Sequence, residues 1–185
     1  MRKWLCATLL ASALLAPAAF AGTPSFNYIQ LSGQHVNASA TDGWGWVAKG
    51  SFNPAGGWFV SGVYRQANHV GDALTNPHAW HADAGYKFDF ADTLAAYGEL
   101  GWSRRRVTGD SAGGAHVEVG LRARLPLVQL EGAVGRYQRN GGFNEYAATA
   151  LFHVLPFTYV AVGYVSDHHA RGVVNRWQAG LRLTF

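Results

Sequence analysis

Apolar and polar residues alternate with a period of two along most of the chain. Trp44, Trp46, Ala48, Gly50 and Phe52 fall on one face, with Gly45, Val47, Lys49 and Ser51 on the other. Trp58, Val60, Gly62 and Tyr64 oppose Phe59, Ser61, Val63 and Arg65. The pattern returns in Trp80–Phe88, Leu94–Trp102, Ala115–Leu125, Val128–Val134, Tyr146–Val154 and Trp177–Phe185. Successive side chains of a strand point to opposite sides, so this period predicts strands rather than helices. Around Tyr28 and Tyr159 both faces carry apolar residues, and their facing stays open. The count is ten strands, with eight as the alternative if one of those two segments is not a membrane strand.

The connections alternate in length. Asn53–Gly56, Asp89–Asp92, Leu125–Leu127 and Leu155–Phe157 are tight. Asn37–Asp42, Ala67–Pro77, Arg105–Gly114, Gln138–Asn144 and Asp167–Val174 are longer and rich in Gly, Asn, Asp and His, which predicts loops. Short turns at one end and longer loops at the other is the layout of outer-membrane barrels, with the short turns periplasmic. In that orientation Trp44, Tyr64, Trp80, Trp102, Tyr146 and Trp177 lie at outer strand ends. Phe52, Trp58, Phe88, Phe152, Tyr159 and Phe185 lie at inner ends. Two aromatic belts bracket a bilayer, because amphipathic rings favour its interfaces. A soluble sandwich would place its aromatics mid-strand instead. The expected fold is therefore all-β, a single up-and-down antiparallel transmembrane barrel in the cell outer membrane.

The chain's two ends fit that reading. Arg2 and Lys3, an apolar stretch over Leu9–Leu15 and Ala19-Phe20-Ala21 have the form of a secretory signal peptide. The expectation is a cleaved signal over residues 1–21 and a barrel over 22–185. The last strand closes on Phe185, which resembles the ending read by the barrel-assembly machinery, an expected partner.

Composition narrows the chemistry. Cys6 and Met1 are the only residues of their kinds, so the expected mature chain has no thiolate ligand or nucleophile. Of 15 basic residues, Arg2 and Lys3 leave with the signal, and 13 against 11 acidic ones is too even to argue for nucleic acid. No cofactor or metal is expected, and the barrel is read as a monomer.

Several stretches resemble a family of small outer-membrane barrels of xanthomonads and their relatives, one member of which was once proposed as a secreted activator of plant immunity. They are Ser25–Ile29, Asp42-Gly43-Trp44-Gly45 with Lys49-Gly50-Ser51, Ala96–Glu99, Val117–Arg122 and Gly180–Phe185. More broadly, the chain is similar to OmpA-like barrels. The resemblance implies a small barrel without established catalytic residues, so none is carried over.

The inward faces are expected to hold a charge network of Lys49, Arg65, Asp83, Lys87, Glu99, Glu118, Arg122, Arg124, Glu131 and Arg182. Long charged chains in so narrow a barrel read as a plug rather than a pore. His78, His81 and Asp83, and separately Asp167-His168-His169, invite a catalytic or metal reading. Adjacent histidines on a strand face opposite ways, a poor geometry for one site, and rim histidines in solvated loops are the commoner case, so an enzyme is not expected. The sharper signal is basic: Arg104, Arg105, Arg106, Arg136, Arg139, Arg171 and Arg176 all map to outer ends or loops. A planar guanidinium suits phosphate, so these seven are expected to form a collar contacting lipopolysaccharide. A narrow channel for small solutes is the alternative function, and a rim hydrolase the third.

Overall fold

Antiparallel pairing runs unbroken around ten strands, and the last pairs with the first. The computed structural model describes residues 23–38, 41–68, 77–107, 110–170 and 172–185, so the expected signal segment and Arg171 lie outside the described residues. The strands are β1 (Tyr28–Ala38), β2 (Thr41–Ala55), β3 (Trp58–Asn68), β4 (His78–Ala91), β5 (Leu94–Val107), β6 (Asp110–Arg124), β7 (Val128–Tyr137), β8 (Phe143–Leu155), β9 (Thr158–His169) and β10 (Gly172–Thr184). Their order is sequential, closed by β1 on β10 from Tyr28↔Thr184 to Ala38↔Val174. Closure leaves no sheet edge, so the ladders satisfy the backbone across the bilayer without help from water, and register shifts fall only near the inner turns, at Phe52/Ala55, Asp89/Ala91 and His153/Leu155.

The apolar face of each strand points away from the barrel. Leu31, Leu100, Val119 and Leu181 are each more than half exposed. An apolar band of this size stays out of water only if lipid covers it. Trp44, Trp80, Trp102, Tyr146 and Trp177 ring one end of the band, and Phe52, Trp58, Phe88, Phe152 and Phe185 the other. Tyr159 departs from the expected inner belt: it is buried in the lumen against Leu151 and Ala161. The two segments whose facing the sequence left open now have one. Tyr28, Gln30, Ser32, Gln34 and Val36 of β1 are buried inward, as are Tyr159, Ala161, Val165 and Asp167 of β9.

Over their described residues, three of the expected outer loops are strands instead. Pairing continues to Ala38↔Thr41 in β1–β2, to Val107↔Asp110 in β5–β6 and to His169↔Gly172 in β9–β10. Their Gly, Asn, Asp and His residues mark backbone beyond the bilayer, where polar side chains suit a solvated hairpin as well as a loop. Between β7 and β8 a single 3-10 turn, Arg139–Gly141, reverses the chain, with Gly141 and Gly142 both at φ +81°. That left-handed backbone comes cheaply only to glycine.

Residues 23–27 do not trail away from the barrel. Pro24 and Phe26 are buried. The Phe26 ring meets those of Phe59 (4.9 Å) and Tyr97 (5.7 Å), forming an apolar floor at the inner end. Asn27 ties the segment to the wall, its Oδ1 accepting from the Asn53 backbone N–H (2.6 Å).

Candidate functional site

Pairing register gathers most of the lumen carboxylates on one wall. Asp167, Glu145, Gly135, Glu118, Glu99 and Gly85 stand side by side in one hydrogen-bonded row from β9 to β4. Four carboxylates therefore climb one wall. Arg65 of β3 and Arg176 and Arg182 of β10 face it, with Lys49 of β2 among Arg65, Arg182, Glu131 and Glu145.

The pairs between walls cross the lumen. Arg65 donates both Nη atoms to Glu145 (2.8 and 3.0 Å), although β3 and β8 lie five strands apart in a ring of ten. Glu145 also accepts from Arg176 (2.9 Å), which is held in turn by Asp167. Arg182 makes a second two-pronged pair with Glu131 (2.5 and 2.8 Å), and Arg122 approaches the same carboxylate at 3.3 Å. Arg122 reaches further, donating to the Ser25 carbonyl (2.9 Å) with its guanidinium 3.8 Å from the centre of the Phe26 ring.

The residues of the expected network face inward; Arg122 and Glu131 are direct cross-strand neighbours, while the other partners come from elsewhere. Glu118 accepts from Tyr97 Oη (2.8 Å) and Glu99 from Ser61 Oγ (2.9 Å). Lys87 pairs with Asp89 on its own strand, and Arg124 stands near His153 at the inner end. The space left within this charged zone is about 70 Å3, room for a few waters. Two main members, Glu145 and Arg176, were not in the expected lumen set. Their faces were legible in the alternation; their depth was not.

Above the acidic row runs a column of stacked rings. His81 lies on His116 (4.8 Å, 5°), His116 on Tyr137 (4.0 Å) and Tyr137 on Phe143 (4.7 Å, 1°), and the His169 ring meets Phe143 at a tilt (4.3 Å, 32°). Asp83 supports its lower end, 2.9 Å from His116 Nδ1 and 3.8 Å from His81 Nε2. It reaches His116 across β5 at Gly101, where a Cβ would collide with the Asp83 carboxylate. Among the described residues, His81, Asp83 and His116 are the one set of three such donors close enough together for a metal ion. Parallel rings aim their lone pairs side by side rather than at one point, so the geometry is that of a hydrogen-bonded stack. Ser103 donates to the Gly114 carbonyl and Ser166 to Asn175 Oδ1, so both hydroxyls are engaged within the sheet.

The expected collar of arginines divides into two faces. Arg104, Arg106 and Arg136 point outward and are exposed, beyond the outer tryptophan belt. Arg104 Nε donates to Ser111 Oγ (2.9 Å) and Arg136 Nη1 to Asn144 Oδ1 (2.9 Å). Arg105 and Arg176, on inward positions of β5 and β10, and Arg139, on the β7–β8 turn, line the mouth of the barrel instead. Arg139 is 6% exposed and rests on the rings of Tyr137 (5.1 Å) and Phe143 (5.2 Å). Burial pushes its guanidinium down to about 10, still protonated at neutral pH.

No family model matches this chain, and no curated protein matches it. Solved structures do resemble it. The NanC porin superposes with a TM-score of 0.54 at 11% identity, over 84% of this chain and all of its own. Neisserial surface protein A matches at TM-score 0.46 and 16% identity, over 87% of this chain and 98% of its own. Ail, the attachment invasion locus protein of Yersinia pestis, matches at TM-score 0.39 and 15% identity, over 85% and 95%. At such identities the likeness is one of fold. With its lipid-facing exterior and closed ten-strand sheet, this chain is an outer-membrane β-barrel.

Proposed function

We propose that this chain is a non-enzymatic envelope protein, closed to solutes, that braces the outer leaflet by holding lipopolysaccharide phosphates on Arg104, Arg106 and Arg136. The observation that carries it is strand phase: beyond Trp102, the even-numbered arginines of β5 continue the lipid-facing side into the headgroup zone. A guanidinium there meets phosphate from below and beside, and each charge-assisted contact is worth about 1.5–3 kcal/mol before competition from water and divalent ions. Against the channel stand the Arg65–Glu145 pair across the full width of the lumen and the small residual cavity.

The test replaces all three outward arginines by Gln. Lipopolysaccharide that co-purifies with the membrane-extracted protein should fall severalfold, while folding in plain detergent is kept. Undiminished lipid would defeat this reading. Conductance in planar bilayers is the companion measurement, and the parent protein should show no steady current.

A further inference from the structure

The inner half of the divided arginine rim has a chemistry of its own. At the mouth, a cavity of about 130 Å3 is lined by the guanidinium groups of Arg65, Arg105, Arg139 and Arg176. Two carboxylates lie at this level, Asp167 and Glu145, and both are committed to Arg65 and Arg176. Arg105 and Arg139 have no carboxylate partner among the described residues. Nε and Nη1 of Arg139 are buried and meet no acceptor among them either, as are the Nε atoms of Arg65 and Arg176. Buried polar hydrogens without acceptors are costly and rare, and a charged one more so. Opposite Arg139, Val36, Ala67 and Val174 form a small apolar wall.

We propose that this mouth binds a phosphate group, held chiefly by Arg139 and Arg105. Two uncompensated cations around a small cavity match the charge of a phosphate monoester, roughly −1.5 to −2 at neutral pH. Arg139 is fitted to such a role. Stacked against Tyr137 and Phe143, it has little rotamer freedom left to lose on binding. Burial first, and then the neighbouring Arg65 and Arg105 cations, lower its guanidinium pKa. The apolar wall would accept the carbon skeleton of an organic phosphate.

The site lies on the opposite face of the rim from Arg104, Arg106 and Arg136, so it goes beyond the lipopolysaccharide reading. The two fail separately. The experiment titrates inorganic pyrophosphate into the mature protein refolded in detergent free of lipopolysaccharide, followed by calorimetry. One saturable site per chain is expected, weakened at least tenfold by Arg139→Gln and by Arg105→Gln and within twofold of the parent in Arg104→Gln. Arg105 lies at a strand end outside the ring column, so its variant keeps the test valid if Arg139→Gln does not fold. Uptake that never saturates, or equal losses in the inward and outward variants, overturns the proposal. Preloading with lipopolysaccharide then identifies the source: lost pyrophosphate binding points to a lipid phosphate, retained binding to a soluble one, and either result supports the site.

Discussion

Glu145 shows how one residue ties the lumen together. Its carboxylate receives Arg65 from across the barrel and Arg176 from two strands away, and it is itself buried. Removing one partner of a buried pair leaves the other charge uncompensated, typically costing about 3–5 kcal/mol. Glu145→Gln should therefore lower the temperature at which the folded band disappears on semi-native gels. Glu118 is the contrasting case. It stands opposite Glu99 in the row and bonds only Tyr97 among the partners described above. Glu118→Gln gives up a hydrogen bond worth about 1 kcal/mol but eases the crowding of two carboxylates, so its net effect should be small. A larger loss for Glu118→Gln than for Glu145→Gln would show that the cross-lumen pairs do not carry the stability assigned to them. Alternation alone told which of these residues face inward. It was silent on partners, because those follow from register between strands far apart in sequence.

Among the elements, the strands were legible and the segment before them was not. Lipid on one side and a polar lumen on the other impose a period of two, and eight of the ten runs carry it; around Tyr28 and Tyr159 apolar residues also line the lumen, which hid the facing of β1 and β9. The collar divides because β5 runs on to Val107, which sets Arg104 and Arg106 on one face and Arg105 on the other; a loop beginning at Arg105 would carry no such phase. Residues 23–27 have no alternation to read, and their role depends on what they meet. Phe26 fills the inner end of the lumen beneath Arg122, against Phe59 and Tyr97. Truncating a buried aromatic costs about 3–5 kcal/mol, and here it also removes the ring under a buried guanidinium. Phe26→Ala should lower the unfolding temperature clearly, whereas Phe90→Ala, which changes an exposed ring at the inner rim, should not. Comparable midpoints for the two variants would mean that the segment does not occupy the lumen in the membrane-bound protein.

At the scale of the whole molecule, charge is arranged as two opposed systems with different exposure to salt. The lumen pairs are buried, out of reach of ions if the barrel is closed. The outward arginines stand in the solvated headgroup zone. Raising ionic strength from 0.1 to 1 M shortens the screening length from about 10 to about 3 Å, which weakens exposed interactions and leaves buried ones nearly intact. A plugged barrel should then respond in two ways at once. Co-purifying lipopolysaccharide should fall as salt rises, while the temperature at which the heat-modified band appears should move by only a few degrees. A pore would behave otherwise, because ions entering its lumen would screen Arg65–Glu145 and Arg182–Glu131 as readily as the surface. A folded band lost many degrees earlier at 1 M than at 0.1 M would thus show a wet lumen and favour the channel. The same titration on Glu145→Gln sharpens the comparison. With its main cross-lumen acceptor neutralised, that variant should regain salt sensitivity only if water and ions can now enter where the pair stood.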